Sequence, residues 1–90
     1  MKKTFNIGEY CMGGIISVSI NKSIRIDCKD WDTKDIIRSK TFEINKYDVS
    51  NKSNTIFEIE NWLNDLTSSY YATKVLDYIE EKIPSIYQLN

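Results

Sequence analysis

The chain has 90 residues, 41% hydrophobic and 28% charged, enough for one modest core and one domain over 1–90. Its net charge of −1 gives no bulk attraction to nucleic acid or to an anionic membrane. It contains no histidine, which removes the commonest general base and metal ligand and with them the Ser-His-Asp and Cys-His triads.

In chain order, "KTFNI" predicts a short strand over about 3–7. Gly8, Gly13 and Gly14 mark an irregular passage after it. Ile16, Val18 and Ile20 then alternate with Ser17, Ser19 and Asn21, the period of a half-buried strand over about 14–21. Asn21–Ser23 reads as a short turn. Ile24, Ile26 and Cys28 alternate with Arg25, Asp27 and Lys29 in a second such strand, about 24–31. Asp32–Asp35 is polar and turn-forming. The run "IIRSKTFEI", rich in β-branched residues, predicts a strand over about 36–44 whose phase is ambiguous. Phe42 and Ile44 share a face with Arg38 and Lys40, while Ile37 lies on the other. A bulge near Ser39 would reconcile this, and so would an edge strand with one charged face.

A polar connection occupies 45–54, and the period then changes. Thr55 and Glu58 fit a capping box, with Asn54 the competing cap. Ile56, Ile59, Leu63 and Leu66 recur at helical spacing, predicting a helix over about 56–66. Ser68 or Ser69 caps a second helix, about 69–83, with the stripe Ala72, Val75, Leu76, Ile79 and Ile83. Pro84 is expected to end it, because proline disfavours helical geometry in the residue before it. Neither helix is long enough to be stable alone in water. Both stripes must therefore dock on the apolar face of Ile16, Val18, Ile20, Ile24 and Ile26. The expected fold is α+β: an antiparallel meander of three to four strands followed by a two-helix hairpin on one sheet face.

Charge is unevenly spread. Residues 1–54 carry 10 Lys and Arg against 7 Asp and Glu, net +3, and residues 55–90 carry 2 against 6, net −4. An acidic helical module thus follows a mildly basic sheet. The tyrosines at the start of the second helix raise the question of a binding face. With Ala72–Ile79 inward, Tyr71 falls at the stripe's edge, where an amphipathic ring seals a core with its hydroxyl in water. Tyr70 points away alongside Asp77 and Glu81. Tyr78 lies next to Tyr71's row, with Lys82 following at i+4. Tyr70 and Tyr78 are each open to two readings, plain surface or contact residue, since tyrosine gives rigid area at low entropy cost. Trp62 reads as a lid on the first helix's stripe. Trp31 falls on the outward phase of its strand with Arg25 and Lys29, where it could stack on a base, pack on a partner, or cover the loop at Tyr10–Gly14.

Other chemistry is thinly represented. Cys11 and Cys28 form no CxxC pair and are too few for a disulfide framework; both read as small hydrophobes. "MGG" at Met12–Gly14 lacks phosphate-loop spacing and reads as a bend or bulge entering a strand. Asp27, Asp30, Asp32 and Asp35 lack the glycine and terminal glutamate of a calcium loop and read as a solvated hairpin tip. A glycosidase carboxylate pair would need a cleft that ninety residues leave little room for. No enzyme activity, metal or cofactor is expected. No apolar run approaches a membrane span, and "MKKTFNIGEYC" lacks a secretory h-region, so the expectation is a cytoplasmic protein with reduced thiols. Ile, Lys and Asn make up 32 of 90 residues, which points to an AT-rich gene.

At "GGIISVSI", "IRIDCKDWDTKDIIRSKTFEI" and "NDLTSSYYATKVLDYIE" the chain resembles small phage and mobile-element proteins of AT-rich bacteria. The resemblance spans about Phe5 to Ile83 and carries no catalytic motif. It implies a stoichiometric inhibitor of host defence, of which anti-CRISPR proteins are one kind. Some of these mimic nucleic acid with carboxylate rows, but the row here, Glu58, Asp65, Asp77, Glu80 and Glu81, is thin. The leading expectation is therefore a protein-binding inhibitor or adaptor. Its partner would be a host protein or complex, met through Tyr70, Asp77, Tyr78 and Glu81 or through the open sheet face. The alternatives are a nucleic-acid accessory protein using Arg25, Lys29 and Trp31, with Arg38 and Lys40 as further cations and Asp27 counting against it, and a homo-oligomerisation module pairing two copies.

Overall fold

The computed structural model describes residues 2–6, 14–43 and 51–87, with helix side chains described over 54–82. The fold is α+β. Strands Lys2–Asn6 (β1), Gly14–Ile20 (β2), Ser23–Asp30 (β3) and Ile36–Glu43 (β4) form an antiparallel meander in the order β1-β2-β3-β4. Helices Asn51–Leu66 (α1) and Ser69–Tyr87 (α2) follow. The expectations for Ile7, Gly8, Cys11, Gly13, Ile44, residues 45–50 and the side chain of Ile83 fall outside the described residues.

The alternation in β2 and β3 works as its period requires. Opposed residues of an antiparallel pair point to the same face. The pairs Ile16↔Cys28, Val18↔Ile26 and Ile20↔Ile24 therefore line one surface, joined by Phe5 opposite Ile16 and Phe42 opposite Ile24. The two helices cover that surface with Ile59, Leu63, Ala72, Val75, Leu76 and Ile79, forming one core cluster. Burying each large aliphatic side chain contributes about 1.5–3 kcal/mol, which is what holds two otherwise marginal helices in place. α1 covers the β4 side, where Trp62 meets Phe42 edge-on at 6.1 Å. α2 covers the β1 side, where Tyr78 meets Phe5 edge-on at 5.9 Å.

Gly14 opens β2 with φ of 94°, a conformation that favours glycine, in line with a bend entering the strand. The broken phase of β4 is resolved by both expected devices. The register slips between Cys28, opposite Arg38, and Lys29, opposite Ile36, so Ile37 is the extra residue. The bulge lies nearer the hairpin than Ser39. β4 is also an edge strand, and Arg38 and Lys40, opposite Cys28 and Ile26, fall on the helix-covered face. There the Arg38 guanidinium lies 5.9 Å from the Trp62 ring and the Lys40 ammonium 5.2 Å from the Phe42 ring.

Both helices run beyond their expected bounds. α1 begins at Asn51, so Thr55 lies within it and the capping box does not form the start. Thr55 precedes Ile59 by one turn, continues the Ile59–Leu63 row and is buried with it. Asn, Lys and Ser cost well under 1 kcal/mol each in a helix, too little to stop one that is already anchored downstream. At the other junction the Ser68 carbonyl accepts the Ala72 N–H at 2.9 Å, which makes Ser68 the cap position of α2. Pro84 does not end α2, which continues to Tyr87. Proline cannot donate to the carbonyl of Glu80, but Glu80 is exposed, so water can serve that carbonyl.

Candidate interaction surfaces

The rotation of α2 follows from its stripe. Val75 and Ile79 are fully buried, and Asp77 and Glu81 are exposed. Tyr70, Lys74, Asp77 and Glu81 therefore recur along one outward row at helical spacing. Tyr70 is 61% exposed. It is nevertheless held on two sides: Tyr71 meets it edge-on at 5.0 Å, and the Lys74 ammonium lies 4.7 Å from its ring centre. The neighbouring Tyr70 side chain raises the Lys74 pKa, which favours the charged form of this cation. The outcome is a propped, solvent-facing aromatic at the head of a row that continues with a cation and two carboxylates.

Tyr78 occupies a different setting. It is half-buried against Phe5, with the Lys3 and Lys82 ammonium groups 5.2 and 5.8 Å from its ring. Lys82 also lies 3.8 Å from Glu81, linking the two rows. Of the four residues expected to bind a partner, Tyr70, Asp77 and Glu81 thus share the outward face, whereas Tyr78 ties α2 to β1.

The sheet's second face carries Arg25, Asp27 and Lys29, with Ser17 and Ile15 on β2. Its centre is enclosed: Ile15 is 5%, Ser17 1% and Asp27 8% exposed. The Ser17 hydroxyl has no hydrogen-bond partner among the described residues. Asp27 accepts hydrogen bonds from the Ser39 hydroxyl at 2.6 Å and the Arg25 guanidinium at 3.0 Å. Burial pushes its pKa up, but those two bonds and the charges of Arg25 and Lys29 outweigh burial and leave it below the ordinary value. Arg25 is therefore committed to a neighbour, and Lys29 is half-buried.

Trp31 follows the last residue of β3, at the hairpin tip rather than among the strand residues. The tip is built by aspartate. The Asp30 carboxylate accepts the N–H groups of Asp32 at 2.9 Å and Thr33 at 3.0 Å, and these backbone bonds lower its pKa. Lys34 takes φ of 65°, the left-handed region, and its ammonium lies 4.8 Å from the Trp31 ring. Trp31 is 50% exposed, and Ile36 and Ile37 at the adjoining end of β4 are exposed as well. Among the described residues no group of three or more His, Cys, Asp or Glu side chains is arranged to hold a metal. No helix among them is long and apolar enough to cross a membrane.

Comparison with known proteins found no matching family model, no curated relative and no similar solved structure. The surfaces must therefore be read from their own chemistry.

Several participants escaped the sequence reading. Lys74 was legible as the i+4 neighbour of Tyr70. The stacking of Arg38 on Trp62 and the Ser39–Asp27 bond were not, because both depend on where the β4 bulge falls. Ile36 and Ile37 looked like strand interior, yet their exposure follows from the edge position.

Proposed function

We propose that the protein is a non-enzymatic binding module, a stoichiometric inhibitor or adaptor that recognises another protein through the outer face of α2. The observation that carries this reading is Tyr70. A large ring that is mostly in water, yet stacked under Lys74 and against Tyr71, loses little freedom on binding. Asp77 and Glu81, exposed along the same row, would steer and orient a partner carrying complementary charge. The resemblance to small phage proteins makes a cytoplasmic component of host defence the first partner to test.

The reading of Arg25, Lys29 and Trp31 as a nucleic-acid face has less support. Arg25 is bound to Asp27, and the Trp31 ring already carries Lys34. The test is capture from a defence-competent host lysate with the wild type and with Tyr70→Ala combined with Glu81→Lys. The double variant should lose the partner while its melting temperature stays nearly unchanged, since both side chains are exposed. Recovery of the same partner by the folded double variant would show that the α2 face is the wrong surface.

A further inference from the structure

β4 is an edge of the sheet and, among the described residues, pairs with β3 alone. Its outer side therefore presents main-chain donors and acceptors outside the ladder. All its side chains except Phe42 are exposed. Arg38 and Lys40 stand two residues apart on one face, each stacked on a ring, and neither has a carboxylate within ion-pair distance among the described residues. Glu58 and Asp65 flank Trp62 on α1 but reach neither cation at that distance. At the hairpin end of the same strand lie the exposed Ile36, Ile37 and Trp31.

These features select an occupant. Two copies paired antiparallel about the centre of β4 would set Arg38 and Lys40 against their own kind, and like charges opposite one another are destabilising. A strand with carboxylates at alternate positions would instead meet both cations from one face. We infer that β4 accepts an extended acidic segment of a partner protein as a fifth strand. Its carboxylates at i and i+2 face Arg38 and Lys40, and an apolar residue meets Ile36. Main-chain hydrogen bonds supply the attachment and the two cations supply the choice. This surface is separate from the outer face of α2 and does not depend on it.

The experiment is an NMR titration of the labelled protein with a blocked synthetic octapeptide alternating glutamate and valine. A lysine–valine peptide and a single-stranded oligonucleotide serve as comparisons. The acidic peptide should shift the amides of Ile36–Glu43 saturably and slow their hydrogen exchange, while the basic peptide does neither. Arg38→Glu with Lys40→Glu should weaken the acidic peptide about tenfold or more and favour the basic one. Arg38→Gln with Lys40→Gln serves if the reversal does not fold, and should likewise weaken the acidic peptide. Tyr70→Ala with Glu81→Lys should leave the titration unchanged, which separates the two surfaces. The inference is overturned by an absence of saturable shifts at millimolar peptide, by shifts confined to α2, by tighter binding of the oligonucleotide to β4, or by sedimentation showing self-association through β4.

Discussion

Asp27 sits enclosed on the sheet face away from the helices, held by a hydroxyl and a guanidinium from two different strands. Its folded pKa lies below the ordinary 3.8, so it binds protons more weakly than in the unfolded chain. Its contribution to stability is complete above the ordinary carboxylate value and is lost as pH falls from about 4 through the depressed native value. Asp27→Asn should therefore flatten the acid limb of a urea-midpoint profile, while part of the slope remains because Asp30 is also lowered. An unchanged slope in the variant would mean that Asp27 is not held as described. Side-chain partners of this kind were the hardest feature to read from the sequence. Asp27 and Ser39 are twelve residues apart and meet only once the bulge at Ile37 has set the register. Tyr78 followed the same rule: its helical spacing was plain, but Phe5, which decides its setting, is at the other end of the chain.

For the elements, legibility tracked how much apolar pattern each one carries. β2 and β3 were read nearly to the residue because one face is buried along the whole length of both. β4 has a single buried side chain, Phe42, so its pattern had little to fix its phase. The first turn of α1, Asn-Lys-Ser-Asn, has no apolar stripe and resembled a connection. Pro84 was the most misleading signal, because a conformational bias was read as a stop. Its presence within α2 leads to an element-scale expectation. Pro84→Ala restores one main-chain donor and a better helix former, so thermal stability should rise by about 1 kcal/mol or more. A lower melting temperature in that variant would indicate that the chain beyond Ile83 gains nothing from helical geometry.

Among the described residues the sheet and the helix pair form two layers, in a body measuring 40 × 21 × 17 Å. In so thin a body neither layer can bury its apolar face without the other. A chain shortened to residues 1–66 keeps every strand and α1 but loses Ala72, Val75, Leu76 and Ile79 from the core. It should bind hydrophobic dye and unfold without a cooperative transition, as judged by near-ultraviolet circular dichroism and calorimetry. Cooperative melting of that fragment would show that the sheet and α1 form a self-sufficient unit.

The contact between Phe5 and Tyr78 also sets an order in time. At typical translation speeds the ribosome needs roughly 4–15 s to lengthen the chain from one ring to the other. Until Tyr78 has been added, Phe5 lacks its edge-on partner, and the apolar face of β2 and β3 waits for much of its cover from α2. A pause in decoding just before Tyr78 would therefore prolong the stage at which Phe5 and the apolar sheet face lack their full cover from α2.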